Sequence, residues 1–276
     1  MKSFDNRVAV ITGAGSGMGR ALAVELAKQN CSVAISDIVE DALNETERLL
    51  EGFQVKVTSR VLDVADRTSV QQYAADTWQA HGKINLVINN AGVSVTDTAE
   101  HMSYDDFEWL MNINFWGVVH GTKAFLPYLQ QVDEAHIVNT SSVFGILAFP
   151  SQSAYNASKF AVRGYTESLR QELAETHIGV SCVHPGAVKT NIVKSSRYTA
   201  TDNESPTLEE FAKTFEEMPG LTSEQAALQI LKGVKKKKPR ILVGRDARLI
   251  ALVSRLAPVN YPKFLSALLG PIGSGS

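Results

Sequence analysis

Thr12-Gly-Ala-Gly-Ser-Gly-Met-Gly19 follows the apolar run RVAVIT (Arg7–Thr12) and leads into a helix-like stretch, Gly19–Gln29. A glycine-rich turn between a strand and a helix lets a pyrophosphate approach backbone N–H groups at the positive end of that helix. Gly13, Ser16, Gly17, Met18 and Gly19 are therefore candidate cofactor contacts. The string is not a GxSxG hydrolase elbow, because Ala14 and Met18 stand where that motif requires glycine.

Asp37 ends the next apolar run, 18 positions after Gly19. An acid near that spacing bonds the ribose hydroxyls of a dinucleotide and repels the 2′-phosphate of NADP. No Arg or Lys directly precedes Gly17 or follows Asp37, and Arg20 is expected to point along the helix surface. These residues predict NAD.

Further out, short β-branched runs alternate with longer amphipathic stretches. Ser32–Asp37, Val55–Val64, Asn85–Asn89, His136–Ser141, Val180–Pro185 and Arg240–Gly244 read as strands alongside Arg7–Thr12. They are too continuously apolar for a one-sided sheet. Helices are expected at Gly19–Gln29, Thr68–His81, Tyr104–Gln131 and Ala154–Thr176. The alternation predicts an α/β fold, a single Rossmann-like doubly wound parallel sheet with helices on both faces. It spans residues 1–244, with a polar substrate loop or lid at Lys189–Gly220 and an apolar extension at 245–276.

Composition narrows the function. The 276-residue chain is 44% hydrophobic and 20% charged, with a net charge of −2 that argues against a nucleic-acid partner. Cys31 and Cys182 lie in apolar runs, which suits a reducing compartment and offers no disulfide framework. The six histidines lack metal-ligand spacing, so no metal is expected. MKSFDNR has no apolar signal region and no run is long enough to span a bilayer, so a cytoplasmic location is expected. The sequons at Asn44, Asn139, Asn156 and Asn203 then read as chance matches.

Tyr155-Asn-Ala-Ser-Lys159 places a phenol and an ammonium on one helical face. A neighbouring ammonium favours the phenolate, lowering a pKa that is otherwise about 10 and suiting the phenol to acid/base work. With these residues in order, the chain resembles the short-chain dehydrogenase/reductase family from about Arg7 to Gly244. Thr12, Gly13, Gly17 and Gly19 fit its TGxxxGxG motif, Asn89-Asn-Ala-Gly92 its NNAG motif, and Pro185-Gly-Ala-Val-Lys-Thr190 its PGxVxT segment. Asn114, Ser142, Tyr155 and Lys159 look like its catalytic tetrad, with Asn112 and Ser141 as the rival positions.

The resemblance implies roles. Asp63 and Val64 would flank the adenine, and Asn90, Ala91 and Gly92 would approach the adenosine ribose. Lys159 would bond the nicotinamide ribose, while Pro185, Val188 and Thr190 would lie beside the nicotinamide. Tyr155 would be the acid/base, Ser142 would hold the substrate oxygen, and Asn114 would position a water leading to Lys159. A homodimer or homotetramer through Tyr104–Gln131 and Ala154–Thr176 is implied as well.

The expected pocket wall Val143–Phe149 is almost wholly apolar, and Val93–Thr98 adds little charge. That favours a lipophilic secondary alcohol or ketone, although Lys194 or Arg197 could serve an acidic substrate group. A 3-oxoacyl-thioester reductase is the alternative, and a non-catalytic NAD-binding scaffold a second. In the extension, Leu249, Ile250, Leu252, Val253 and Leu256 fall on roughly one helical side, and Leu265, Leu268 and Leu269 follow. This predicts a helix closing an oligomer interface or a pocket wall, with peripheral membrane contact, aided by Lys235–Lys238 and Arg240, as the sharper reading.

Overall fold

The computed structural model describes residues 1–190, 192, 196–198 and 220–264. Its first half runs β1 (Val8–Thr12), α1 (Gly17–Ala27), β2 (Ser32–Asp37), α2 (Glu40–Leu50), β3 (Val57–Val61), α3 (Arg67–His81), β4 (Leu86–Asn89) and β5 (Val95–Thr96). Next come α4 (Tyr104–Met111), a π-helical turn (Asn112–Trp116), α5 (Gly117–Leu129), β6 (Ala135–Thr140) and a 3-10 turn (Val143–Gly145). The chain continues through α6 (Ser153–Glu172), β7 (Ile178–Pro185), β8 (Arg197–Tyr198), α7 (Ser223–Lys235), β9 (Arg240–Val243) and α8 (Arg245–Leu256).

Seven strands form one parallel sheet in the order β3-β2-β1-β4-β6-β7-β9. Alternate residues of β1 feed two cores: Ala9 and Ile11 pack with α1, α2 and α7, whereas Val10 packs with α3, α5 and α6. Both faces are covered, which explains why the strands read as continuous apolar runs. Strand order reverses between β1 and β4, so the turns after these two strands open a crevice at their carboxyl ends. The fold is the doubly wound α/β sheet that the alternation predicts.

Local signals set the helix ends. The Asp66 carboxylate caps α3 by accepting from Thr68 N and Ser69 N, and Gly82 closes it in the left-handed conformation. Thr222 and Gln225 form a reciprocal capping box at α7. The third strand is shorter than its apolar run, because β3 is an edge strand paired on one side only. Helix α2 and the small β5–β8 pair are additions to the sequence reading.

The long helix expected over 104–131 is interrupted. At Asn112–Trp116 the Gly117 N–H donates to the Asn112 carbonyl, five residues back. Such π turns are inserted at a cost in helical regularity and occur often at functional sites.

Cys31 and Cys182 are free and buried, and burial pushes both thiols up to about 12, so neither is a nucleophile. Asn139 and Asn156 are buried too, which removes two of the four sequons from the surface. Among the described residues no helix is long and apolar enough to cross a membrane, and no group of three or more His, Cys, Asp or Glu could hold a metal ion. Most of the expected 189–220 lid, Lys194, Asn203, and Leu265, Leu268 and Leu269 lie outside the described residues.

Candidate active site

The crevice begins where β1 ends. Gly13 and Gly17 have φ of 65° and 52°, a conformation that strains any residue with a Cβ. A Cβ on Gly19 would collide with the Gly13 carbonyl. Ser16, the N-cap of α1, makes no side-chain capping bond, and the first turn holds no acid. Its N–H groups are thus left for an anion, as a pyrophosphate needs. These residues fit a dinucleotide.

Asp37 stands beside that loop, accepting from Gly15 N at 2.8 Å and Val39 N at 3.1 Å. Arg20 does not simply follow the helix surface. It reaches across to α2, where its guanidinium bonds Glu45 at 2.7 Å, Thr46 Oγ1 at 3.0 Å and the Gly15 carbonyl. A guanidinium so committed is a poor acceptor site for a 2′-phosphate.

The turn after β4 is stapled to the glycine loop through Thr12. Its Oγ1 accepts from Asn90 N at 3.0 Å and Ala91 N at 3.1 Å, while Asn90 Nδ2 donates back to the Thr12 and Gly13 carbonyls. A Cβ on Gly92 would lie 3.1 Å from Asn114 Oδ1 and 3.3 Å from Lys159 Nζ, so this turn runs straight into the catalytic candidates. Farther along the sheet edge, Asp63 is exposed and Val64 is buried against Gly117.

Tyr155 and Lys159 share the inner face of α6, with the ammonium 5.4 Å from the ring centroid. They are 9% and 3% exposed. Lys159 Nζ donates to the Thr140 carbonyl at 3.2 Å. The Tyr155 ring meets Phe144 edge-on at 5.6 Å. The expectation that the ammonium lowers the phenol's pKa is not met in this state. Burial pushes Tyr155 up to about 12, with the Ser142 hydroxyl pulling it back only in part. Burial also pushes Lys159 down to about 8, against a smaller opposing effect of Cys182. Desolvation sets both shifts, because each group loses most of its water and the two are not in direct ion-pair contact.

The rival positions separate cleanly. Ser141 is buried and donates to the Lys159 carbonyl at 2.8 Å, a bond within the scaffold. Ser142 caps the 3-10 turn through Phe144 N and keeps its hydroxyl on the Tyr155 side. His184 fixes it from behind, its Nδ1–H donating to the Ser142 carbonyl at 2.9 Å. Asn112 is exposed, whereas Asn114 is fully buried in the π turn. Asn114 exchanges two bonds with the Val93 backbone, at 2.8 and 2.9 Å, and donates to Ser158 Oγ at 3.2 Å.

On the far side, Pro185 ends β7, and Val188 pairs with Leu221 in an isolated bridge. Thr190 lies against Gly17, with 3.3 Å between a built Cβ and the threonine side chain. Two residues absent from the sequence reading also hold this region. Asp246 accepts from Ala187 N at 2.6 Å, and His184 carries the Ser142 backbone. The only sequence signal for Asp246 is that it is the lone acid in a strongly basic stretch.

Much of the expected pocket wall Val143–Phe149 is instead taken up in a buried cluster with the extension. Val143, Phe144, Leu147 and Phe149 pack with Ala247, Ile250 and Tyr261 of the extension. Tyr261 also accepts from Ala148 N at 3.1 Å and donates to its carbonyl at 3.3 Å. Arg197 is not available to a substrate carboxylate, since it pairs with Asp106 at 2.7 Å and lies 3.8 Å from the Trp109 ring centroid.

Comparison with known proteins agrees with this geometry. Residues 7–201 match the family model for short chain dehydrogenases. The chain belongs to that family. SadH of Mycobacterium tuberculosis, named as an oxidoreductase, is 44% identical over 271 residues, covering 97% of this chain and 96% of SadH. The 3-oxoacyl-[acyl-carrier-protein] reductase FabG of Thermotoga maritima is 35% identical over 187 residues, covering 68% of this chain and 76% of FabG. A short-chain dehydrogenase from Burkholderia phymatum, solved in complex with NAD, superposes with a TM-score of 0.82 at 33% identity, covering 100% of this chain and 99% of that one. This short-chain dehydrogenase is thus an oxidoreductase by family. The matched segment ends before α7, β9 and α8, so the Asp246 contact and the packing of the tail on Val143 and Leu147 lie beyond it.

Proposed function

We propose that this short-chain dehydrogenase interconverts a lipophilic secondary alcohol and its ketone with NAD, using Tyr155 as the acid/base. The observation that carries the reading is the burial of Tyr155 and Lys159 beside a half-buried Ser142, with the apolar side chains of Val93, Phe144 and Ile192 packed around Tyr155. Apolar surroundings of this kind offer a charged substrate no partner and reward burial of alkyl or aryl surface.

NAD is the cofactor, in line with Asp37, the committed Arg20 and a structural relative solved with NAD. Preference over NADP is part of the proposal and rests on the Asp37 charge. Gly13, Ser16, Gly17, Met18 and Gly19 would hold the pyrophosphate, and Asp37 the adenosine ribose. Asp63 and Val64 would border the adenine, with Asn90, Ala91 and Gly92 beneath the ribose. Lys159, Pro185, Val188 and Thr190 would hold the nicotinamide half. When bound, NAD supplies the acceptor or donor of hydride.

The protein's own part is proton handling and orientation. With its pKa raised, Tyr155 rests as the neutral phenol, the form that donates a proton to a carbonyl oxygen. Alcohol oxidation needs the phenolate. Lys159 assists that form while it is charged, at pH values below about 8. Ser142 donates to the substrate oxygen, and His184 keeps the Ser142 backbone in place. Asn114, locked in the π turn, holds the Val93 backbone beside Lys159 and would position a water there.

A 3-oxoacyl-thioester reductase is the second reading, supported by the FabG relative. Asp37 opposes it, because reductive synthesis draws on NADPH. A homodimer or homotetramer is proposed through the helices that expose Tyr104, Trp116 and Phe160. A panel of secondary alcohols and ketones, assayed with NAD(H) and NADP(H), tests the function. Turnover of acyl thioesters with NADPH but of no simple alcohol or ketone would select the second reading. No turnover of any of them would favour a scaffold.

A further inference from the structure

Between Lys232 and Lys263 the sequence carries ten Lys and Arg residues and one acid, Asp246. A chain of net charge −2 therefore concentrates +9 in this segment and −11 elsewhere. Folding keeps the charges together. Lys232, Lys236, Lys238, Arg240 and Arg248 line one cleft of about 510 Å³ between α7, β9 and α8. Two of the segment's cations are neutralised by neighbours, Arg240 by Glu167 and Lys237 by Glu134. Lys232, Lys236, Lys238, Arg245, Arg248 and Arg255 make no ion pair among the described residues.

Beside this cleft, α8 divides its apolar residues between two sides. Ala247 and Ile250 face inward onto Val143 and Leu147. Leu249, Leu252 and Leu256, spaced three and four apart, form a stripe on the solvent side. Leu256 is 74% exposed, and Val259, 82% exposed, and Phe264 continue the apolar surface. A helix already docked on its domain has no folding reason to place leucines outward, and such a surface marks an interaction site.

We propose that this end of the molecule docks on an anionic lipid surface. The leucine stripe would enter the headgroup–acyl boundary while the unpaired Lys and Arg side chains engage the headgroups. Charge decides among occupants. A two-fold contact with a second copy would set this basic face against itself. A nucleic acid would satisfy the cations and leave the leucines in water. An anionic lipid surface matches both features. The proposal concerns where the enzyme works and does not rest on the tetrad.

The test is co-sedimentation of the full chain with vesicles of phosphatidylcholine plus phosphatidylserine, and of phosphatidylcholine alone. Binding is expected to the anionic vesicles and to weaken with salt. Leu252→Glu/Leu256→Glu and Lys236→Glu/Lys238→Glu should each reduce partitioning about tenfold or more, since each basic residue near the surface adds binding energy. Both variants should keep wild-type circular dichroism and NAD-linked activity, because none of the four residues touches the active site. Absence of sedimentation at low salt, or equal binding to neutral vesicles, would overturn the proposal. So would a Leu252→Glu/Leu256→Glu variant that shifts the elution volume of the oligomer while still binding anionic vesicles as wild type does; that result would assign the stripe to a second copy.

Discussion

The Asp246 carboxylate accepts a hydrogen bond from the Ala187 backbone N–H at 2.6 Å, joining the first turn of α8 to the segment that follows β7. The contact is close enough that a Cβ on the neighbouring Gly186 would strike the carboxylate. Asp246→Ala leaves the Ala187 N–H without its partner, and hydrogen bonds to charged groups contribute about 1.5–3 kcal/mol. The expected result is a KM for NAD raised about tenfold, with Tm lowered by a few degrees. An unchanged KM alongside a lowered Tm would make the contact purely structural.

Tyr155→Phe removes only the hydroxyl and keeps the ring against Phe144. Turnover is expected to fall by about 100-fold or more, the scale of general acid–base catalysis. NAD binding, followed by fluorescence titration, should change little. Activity within a few-fold of wild type would remove Tyr155 from the mechanism.

Asp37→Ser with Ile38→Arg should move preference toward NADP. Serine deletes the repulsive charge yet can still accept from Gly15 N, and Ile38 is exposed, so an arginine there has room. The ratio of kcat/KM values for NADP and NAD is expected to rise at least tenfold, about 1.4 kcal/mol. A wild-type enzyme that already favours NADP would contradict the reading of Asp37.

Acid should destabilise the fold through His136 and His184. Burial pushes them down to about 3 and about 4. In the unfolded chain both take up protons below about pH 6.5. Between there and about pH 4 the unfolded state binds more protons than the folded state, so stability falls as pH falls. Each histidine contributes a slope of about 1.4 kcal/mol per pH unit in that window, and none above it. Urea unfolding curves at several pH values measure this directly. A stability that stays level from pH 6.5 to pH 4.5 would show that the two rings are not buried neutral.

Much of the site was legible in the sequence because its parts are local. A glycine turn between an apolar run and a helix can be read in eight residues, and Tyr155 with Lys159 in five. Asp37 is readable as well, since it ends a strand. The seven strands of the main sheet were legible for a similar reason: the inner ones are largely apolar runs, a consequence of burial on both faces, while the edge strand β3 is partly exposed. Asn112 stood beside Asn114 and Ser141 beside Ser142 as rivals, with the family-like spacing favouring Asn114 and Ser142.

Tertiary structure adds burial and direction to that preference. A π turn buries Asn114 beside Val93, and the Lys159 carbonyl occupies Ser141. It also reversed the expected pKa shift of Tyr155, because loss of water depends on everything packed around a group and not on its neighbours along the helix. The extension shows the same division. Its sequence specifies an amphipathic helix, but only packing against Val143 and Leu147 turns Ile250 inward and leaves Leu249, Leu252 and Leu256 in solvent. Asp246 meets Ala187 across 59 positions, a contact no local pattern encodes. Sequence determines what short segments can do alone; which face is buried, and which distant partner it meets, is set by the competition among segments for one shared core.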